Sequence, residues 1–327
     1  MDTAERYRRF SLAEARGHSP IYDMLASRIA RDTTLLTLID RLPVEKRQPN
    51  LLFAAVRFLG GPVHDYEAFQ SWTMAEWDRI QRTMRERRTQ TNEPNRCAAL
   101  LPALASLPGP LALIEVGASA GLCLYPDRYR YSYDDRPLLG PTESAVLLKC
   151  RTQGPVPLPA SLPDIAWRTG IDLNPLDVRD PDDTRWLESL IWPEQRERLR
   201  RLRAAVNIAR AEPANITPGD LNQSITDTLD QVPKGTTPVV FHSAVMAYLP
   251  HEARDSFAST MRSLSCRWIS NEAPGVLPAV DHRLPRPVPG TSQVFVLSLD
   301  GRPLAFTGPH GQHLDWFSSS QEAHELT

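Results

Sequence analysis

Apolar residues recur at three- and four-residue spacing through the first 90 positions of the chain. This spacing predicts amphipathic helices, and clusters of glycine, proline or asparagine mark the breaks between them. The predicted helices cover residues 6–15, 21–29, 33–39, 51–59 and 65–88. We therefore expect residues 1–95 to form a helical N-terminal cap that packs near the carboxyl ends of the strands that follow.

From about residue 96 onward, short apolar runs alternate with helical segments. This pattern is typical of an α/β domain whose mostly parallel sheet carries helices on both faces. Residues 96–327 are therefore expected to form such a domain. Its five predicted core strands share one sheet and end near Val116, Asp172, Gly219, His242 and Asn271.

Two hairpins are predicted beside these core strands. Asp300-Gly301 is a hairpin signal between two short apolar segments, so residues 294–307 are expected to form an antiparallel pair at an edge of the sheet. An insertion at about 127–163 separates the first two core strands. Its alternating segments, 129–133 and 145–150, are predicted to add the second hairpin.

Composition narrows the class of protein. The chain has 327 residues, 41% of them hydrophobic and 23% charged, and its formal net charge is −2. This balance gives no field that would attract nucleic acid or an anionic membrane. The four cysteines form no C-x-x-C pair, which is typical of a reducing compartment. We expect a cytoplasmic protein without a membrane segment; composition leaves its oligomeric state open.

Glycines and acids follow three of the predicted core strands. The first strand ends in Glu115-Val-Gly-Ala-Ser-Ala-Gly121, the second in Gly170-Ile-Asp172 and the third in Gly219-Asp220. Ligands of doubly wound sheets bind at the carboxyl ends of the strands. There the glycines would allow close approach of a ligand, and the acids could accept hydrogen bonds from a ribose diol and a base edge. The pattern therefore predicts a nucleoside pocket.

These motifs, in this order, resemble the nucleoside-binding motifs of class I S-adenosylmethionine-dependent methyltransferases. Over nearly its full length the chain also resembles the bacterial family DUF2332, through residues 167–177, 186–195, 241–248, 268–274 and 309–311. The resemblance implies a Rossmann-like methyltransferase-type fold with S-adenosylmethionine as the cofactor. The residues implied to bind it are Glu115, Gly117, Ser119, Gly121, Asp172, Asp220 and His242.

Two features depart from the common pattern. Gly117 and Asp172 are 55 positions apart, whereas about 20 residues usually separate the glycine turn from the ribose acid. The insertion between them could shape a substrate site or fill the cofactor site. The second departure is Ser119, which stands where many methyltransferases carry glycine. Separately, the helix after the glycine turn is expected to be short, because Pro126 cannot donate a helical hydrogen bond.

Candidate catalytic residues follow the later strands. His242 comes after the fourth strand, where a methyl acceptor would lie, and Glu272 after the fifth could act as a base. His310 follows all the core strands. No Asn/Asp-Pro-Pro-Tyr motif follows the fourth strand, so we expect a small-molecule acceptor. No third ligand accompanies His310 and His313 at metal-binding spacing, so no metal site is predicted.

Two alternatives remain open. Gly117-Ala-Ser-Ala-Gly121 is a literal G-x-S-x-G, the nucleophile elbow of α/β-hydrolases. In a serine hydrolase Ser119 would be the nucleophile, with His310 as the natural base. The third class is a catalytically silent binding module on the same fold.

Overall fold

The structure, a computed structural model, describes residues 2–290 and 293–318. The chain folds as two compact units. The first extends to Thr91 and resumes over Arg179–Arg203, and the second takes in Asn92–Val178 and the described residues from Ala204 onward. The sequence pattern, in contrast, assigns the segment 179–203 to the α/β domain.

Helices occur in both units. In chain order they are α1 (Thr3–Phe10), α2 (Pro20–Ile29), α3 (Thr33–Ile39), α4 (Pro49–Phe58), α5 (Tyr66–Ala75), α6 (Trp77–Glu86), α7 (Arg96–Ala105), α8 (Pro181–Leu190), α9 (Arg196–Ala211), α10 (Leu221–Leu229), α11 (His251–Ser263) and α12 (Pro278–Asp281). A π-helical turn over Ser11–Ala15 extends α1.

The helical unit contains α1 to α6, which confirms the helices predicted for the first 90 residues. Side chains cap their first turns: Ser19 caps α2 ahead of Pro20, Asp32 caps α3, and Asp65 caps α5. Phe53 lies at the centre of this unit, with its ring centroid 4.6 Å from that of Tyr22. The location of this unit beside the carboxyl ends of the strands stays a prediction.

α8 belongs to the helical unit because its apolar face is buried there. Trp186 is fully buried, and its ring packs edge-on against Phe58 at 5.6 Å between centroids. Arg57 donates a hydrogen bond from Nη1 to the carbonyl of Ser189 (2.9 Å). These contacts join positions about 130 residues apart, so local periodicity gives no sign of them.

The second unit is built on one sheet. Its strands are β1 (Leu111–Val116), β2 (Arg130–Tyr133), β3 (Leu147–Gln153), β4 (Ile165–Asp172), β5 (Asn215–Pro218), β6 (Thr237–Ser243), β7 (Arg267–Glu272), β8 (Phe295–Leu299), β9 (Arg302–Thr307) and β10 (His313–Trp316). They lie in the order β2-β3-β10-β9-β8-β7-β6-β1-β4-β5. The prediction that the five core strands share a sheet is confirmed.

The core strands β5-β4-β1-β6-β7 run parallel to one another. In chain order they are the third, second, first, fourth and fifth core strands, so the strand order reverses between β1 and β6. Among the core strands, the chain passes from β1 to β4 and β5 on one side of β1, and then crosses to β6 and β7 on the other side. Such a reversal leaves a crevice at the carboxyl ends of the two central strands.

Both hairpin predictions need correction. β8 and β9 do form the antiparallel pair predicted at Asp300-Gly301, but the sheet continues beyond it through β10, β3 and β2, so the pair is not at an edge. The insertion is not a hairpin, because β2 and β3 run parallel. The long connection between them folds back on β2 at a Tyr131–Leu139 bridge, which lets β3 return in the same direction.

Candidate functional site

The glycine turn lies at the carboxyl end of β1, beside the point where strand order reverses. Three of its residues have left-handed backbones: Gly117 (φ 70°), Ser119 (φ 52°) and Gly121 (φ 68°). The expected short α-helix does not follow; the first helical element after the turn is a 3₁₀ turn at Pro126–Arg128. The N–H groups of this turn therefore lack the helix dipole that usually reinforces phosphate binding.

Asp172, predicted to bind a ribose, holds the glycine turn in place. One carboxylate oxygen accepts a hydrogen bond from Ser119 N (2.8 Å) and the other from Asn174 N (2.7 Å). Asp172 is only half-buried, and each carboxylate oxygen can accept a second hydrogen bond. Its carboxylate can therefore fix the turn and still accept from a ligand.

Asn92 is a site residue that the sequence analysis missed. Its Oδ1 accepts from Ala120 N (2.9 Å), and its Nδ2 donates to Ser119 Oγ (2.8 Å). The side chain thus gives the turn a second clamp, in addition to Asp172. The signal in the sequence was the polar run Asn92-Glu-Pro-Asn-Arg96 ahead of an apolar helix; all five of these residues are buried.

Arg96, the first residue of α7, carries a buried guanidinium to the carboxyl end of β6. Its Nη1 donates to Ser243 O (2.7 Å) and its Nε to Pro309 O (3.0 Å). Gly311 has φ 70°, and a Cβ added to it would lie 2.1 Å from Asn95 O. The motif at residues 309–311 therefore docks its backbone on the start of α7, whereas the predicted base His310 is exposed.

Glu115 is a buried acid at the end of β1. Its Oε2 has no hydrogen-bond partner among the described residues. Burial raises the pKa of Glu115 well above its ordinary value, the neighbouring Cys123 and Asp172 raise it further, and Arg96 opposes the shift. Burial also contributes to a raised pKa for the Cys123 thiol, whose main cause is the adjacent Cys97 thiol. A strongly shifted acid beside a crevice is typical of functional sites.

We expect Glu115 to make the protein less stable as the pH rises. The folded protein holds a proton that the unfolded chain releases near pH 4.5. The free energy of unfolding should therefore fall above about pH 4.5, by at most about 1.4 kcal/mol per pH unit, until the folded-state pKa is reached. Denaturant unfolding of Glu115→Gln across this range should lack that slope, and Glu252→Gln, at an exposed position on α11, should keep it. A slope in Glu115→Gln equal to that of the wild type would contradict this assignment.

His242 and Glu272 form a buried network behind the carboxyl end of β6. His242 Nε2 accepts a hydrogen bond from Trp268 Nε1 (3.0 Å). An indole N–H can only donate, so the ring proton lies on Nδ1 and is donated to Glu272 Oε1 (2.7 Å). Glu272 Oε1 also accepts from the backbone N–H of Val245 (2.9 Å) and Met246 (3.2 Å). Both predicted catalytic residues are thus engaged within the protein.

The remaining predicted residues have structural contacts. Asp220 caps α10 by accepting from Asn222 N (2.9 Å). A Cβ added to Gly117 would lie 2.4 Å from a methyl group of Val245, and one added to Gly121 would lie 2.8 Å from Ile216. The space that these glycines leave open is therefore filled by side chains of the same unit.

The described residues offer neither a membrane-spanning helix nor a metal-binding cluster. Within residues 2–290 and 293–318, every helix is too short or too polar to cross a lipid bilayer. The same residues contain no cluster of three or more histidine, cysteine, aspartate or glutamate side chains suited to a metal ion.

Comparison with known proteins gives a family but no characterised relative. Searches of curated proteins and of solved structures found no match to the chain. One family model, described as "Uncharacterized protein conserved in bacteria (DUF2332)", matches residues 4–316. The match spans almost the whole sequence, and the chain therefore belongs to the DUF2332 family.

Proposed function

We propose that the α/β unit binds S-adenosylmethionine at the carboxyl ends of β1, β4 and β6 and transfers its methyl group to a small molecule. One observation carries the proposal: the strand order reverses between β1 and β6 where the glycine turn leaves β1. Doubly wound sheets bind nucleotide ligands at this point. The acid at the end of β4, Asp172, lies one strand away and bonds to the turn itself.

The residues present fit the polar part of such a ligand. Asp172 would accept hydrogen bonds from the ribose hydroxyls, and Asp220 from the base edge. Glu115 would supply a buried hydrogen-bonding group, since its Oε2 has no partner among the described residues. When bound, the cofactor supplies an activated methyl group, and the protein's part is to align it with the acceptor.

Proton transfer is a smaller part of this proposal. A general base is needed only when the acceptor still holds its proton. His242 has both ring nitrogens hydrogen-bonded inside the protein, so we do not propose it as that base. Glu272 holds the chain after β6, and we propose a positioning role for both residues.

The role of Ser119 distinguishes a methyltransferase from a serine hydrolase. Its positive φ is typical of a nucleophile elbow, but its Oγ accepts a hydrogen bond from an asparagine, whereas a nucleophile needs a base. Ser119→Ala should lose one neutral hydrogen bond, about 0.5–1.5 kcal/mol of binding or stability. Ligand titration and denaturant unfolding measure these losses, with Ser263→Ala as an exposed control.

A hydrolase would behave differently in two measurements. A fluorophosphonate would add its mass to Ser119 of the wild type, and Ser119→Ala would lose turnover on the order of a millionfold. We expect no adduct by intact-mass analysis. A covalent adduct on Ser119 would overturn the methyltransferase proposal.

The class of ligand can be tested by thermal unfolding. S-adenosylhomocysteine at 100 times its Kd should stabilise the protein by about 2.7 kcal/mol, whereas the same concentrations of ATP and NAD should not. Asp227→Ala, at an exposed position on α10, should respond like the wild type. No shift with S-adenosylmethionine or S-adenosylhomocysteine would favour the catalytically silent module.

A further inference from the structure

The chain segment after β6 covers the glycine turn. Two methyl carbons of Val245 lie 2.4 and 2.7 Å from the position that a Cβ on Gly117 would take. Val245 is itself half-buried, as is Gly117. A ligand that approaches Gly117 from the side on which a Cβ would stand would therefore meet the Val245 side chain.

Glu272 fixes the backbone of this segment. Its Oε1 accepts the backbone N–H groups of both Val245 and Met246. The His242 ring, oriented by Trp268, donates to the same oxygen. Glu272 Oε2 is buried and has no hydrogen-bond partner among the described residues. The Glu272 carboxylate thus fixes the position of the segment through one oxygen, Oε1.

The segment also has a first residue with a strained backbone and an exposed tip. Ala244, which starts it, has a left-handed backbone (φ 59°), a conformation that costs energy in a residue with a Cβ. Tyr248, at its tip, is 81% exposed. Beyond the tip, Arg254 on α11 donates to the carbonyls of Ala247 and Leu249. The segment is therefore anchored at both ends and at Met246, which is fully buried, whereas Ala247 and Tyr248 are exposed.

We infer that residues 244–248 form a gate over the glycine turn, with Val245 as the blocking side chain and Glu272 as the positioning residue that keeps it closed. The inference rests on the proposed function in one respect: the ligand that the gate admits is the nucleoside of S-adenosylmethionine. It gives His242 and Glu272 a role that explains their burial. It also explains why the Val245 side chain fills the space beside Gly117.

The first test measures the gate without ligand. Hydrogen exchange of the Val245 and Met246 amides should accelerate about tenfold in Glu272→Gln. The reason is that both N–H groups then donate to a neutral amide oxygen, which is a weaker acceptor than a carboxylate. Exchange in β6 and β7 should stay at the wild-type rate. Glu252→Gln, on the exposed face of α11, is the matched control and should change neither. Unchanged exchange at Val245 and Met246, or equal acceleration throughout β6 and β7, would overturn the gate.

The second test measures access. Val245→Ala removes the two methyl groups over Gly117 and keeps both backbone N–H groups, so it should bind S-adenosylhomocysteine about tenfold more tightly than the wild type. Val288→Ala, at a solvent-exposed valine of the same unit, should not. Equal affinity of Val245→Ala and the wild type would overturn the gate. If neither protein binds, the proposed function fails, and the exchange experiment alone decides whether Glu272 holds the segment.

Discussion

Replacing His242 with leucine should lower the free energy of unfolding by about 3–5 kcal/mol. The change removes the acceptor of the Trp268 indole N–H and the donor to Glu272 Oε1, and both partners stay buried. Buried polar groups that lose their partners cost the full desolvation penalty. Urea unfolding monitored by circular dichroism measures the change, with the m-value as a check on two-state behaviour.

His251→Leu is the matched control for this prediction. His251 begins α11, has a side chain that is 73% exposed, and pairs with Asp255 at the surface. Exposed pairs contribute little, so its stability should stay within about 1 kcal/mol of the wild type. If His242→Leu were as stable as His251→Leu, the buried network would have no part in holding the end of β6.

Asp172→Ala should lower both stability and affinity. The free energy of unfolding should fall by about 2–4 kcal/mol, because two backbone N–H groups of the turn region, those of Ser119 and Asn174, lose a charged acceptor. Binding of S-adenosylhomocysteine should weaken by about 1–3 kcal/mol if Asp172 also accepts from the ribose. Denaturant unfolding and ligand titration separate the two losses.

The binding loss needs its own control, because an altered turn could weaken binding indirectly. Asn92→Ala removes the other clamp on the same turn, at Ser119 and Ala120, without touching the acid. It should lose stability but less affinity than Asp172→Ala. Equal losses of affinity in the two variants would mean that Asp172 acts only by holding the turn.

The sequence predicted the core of the sheet well because the central strands β1 and β6 contain short apolar runs and each core strand ends at or next to a glycine or a polar residue. It did not predict the part of the sheet beyond β9, where β10, β3 and β2 lie. β10 is only four residues long, His313–Trp316, and mixes polar and apolar positions. The direction of β3 depends on its pairing with β2 and β10, which local alternation does not determine.

The site was predicted in part, for a related reason. Gly117, Ser119 and Asp172 are predicted from the sequence as candidate site residues, and Asp172 accepts a hydrogen bond from Ser119 in the turn that Gly117 begins. Asn92 was missed because its role depends on contacts 27 and 28 positions away. His242 and Glu272 were identified as catalytic from their positions after strands, but their contacts with Trp268 and Val245 cross between strands and give them a different environment.

Isothermal titration calorimetry of the wild-type protein with S-adenosylmethionine and S-adenosylhomocysteine tests the central claim most directly. We predict saturable binding of both ligands with one site per chain, weakened in Asp172→Ala and unchanged in Asp227→Ala. Absence of binding by the folded wild type and by Val245→Ala, which lacks the two methyl groups beside Gly117, would contradict the claim that this sheet edge is a cofactor site.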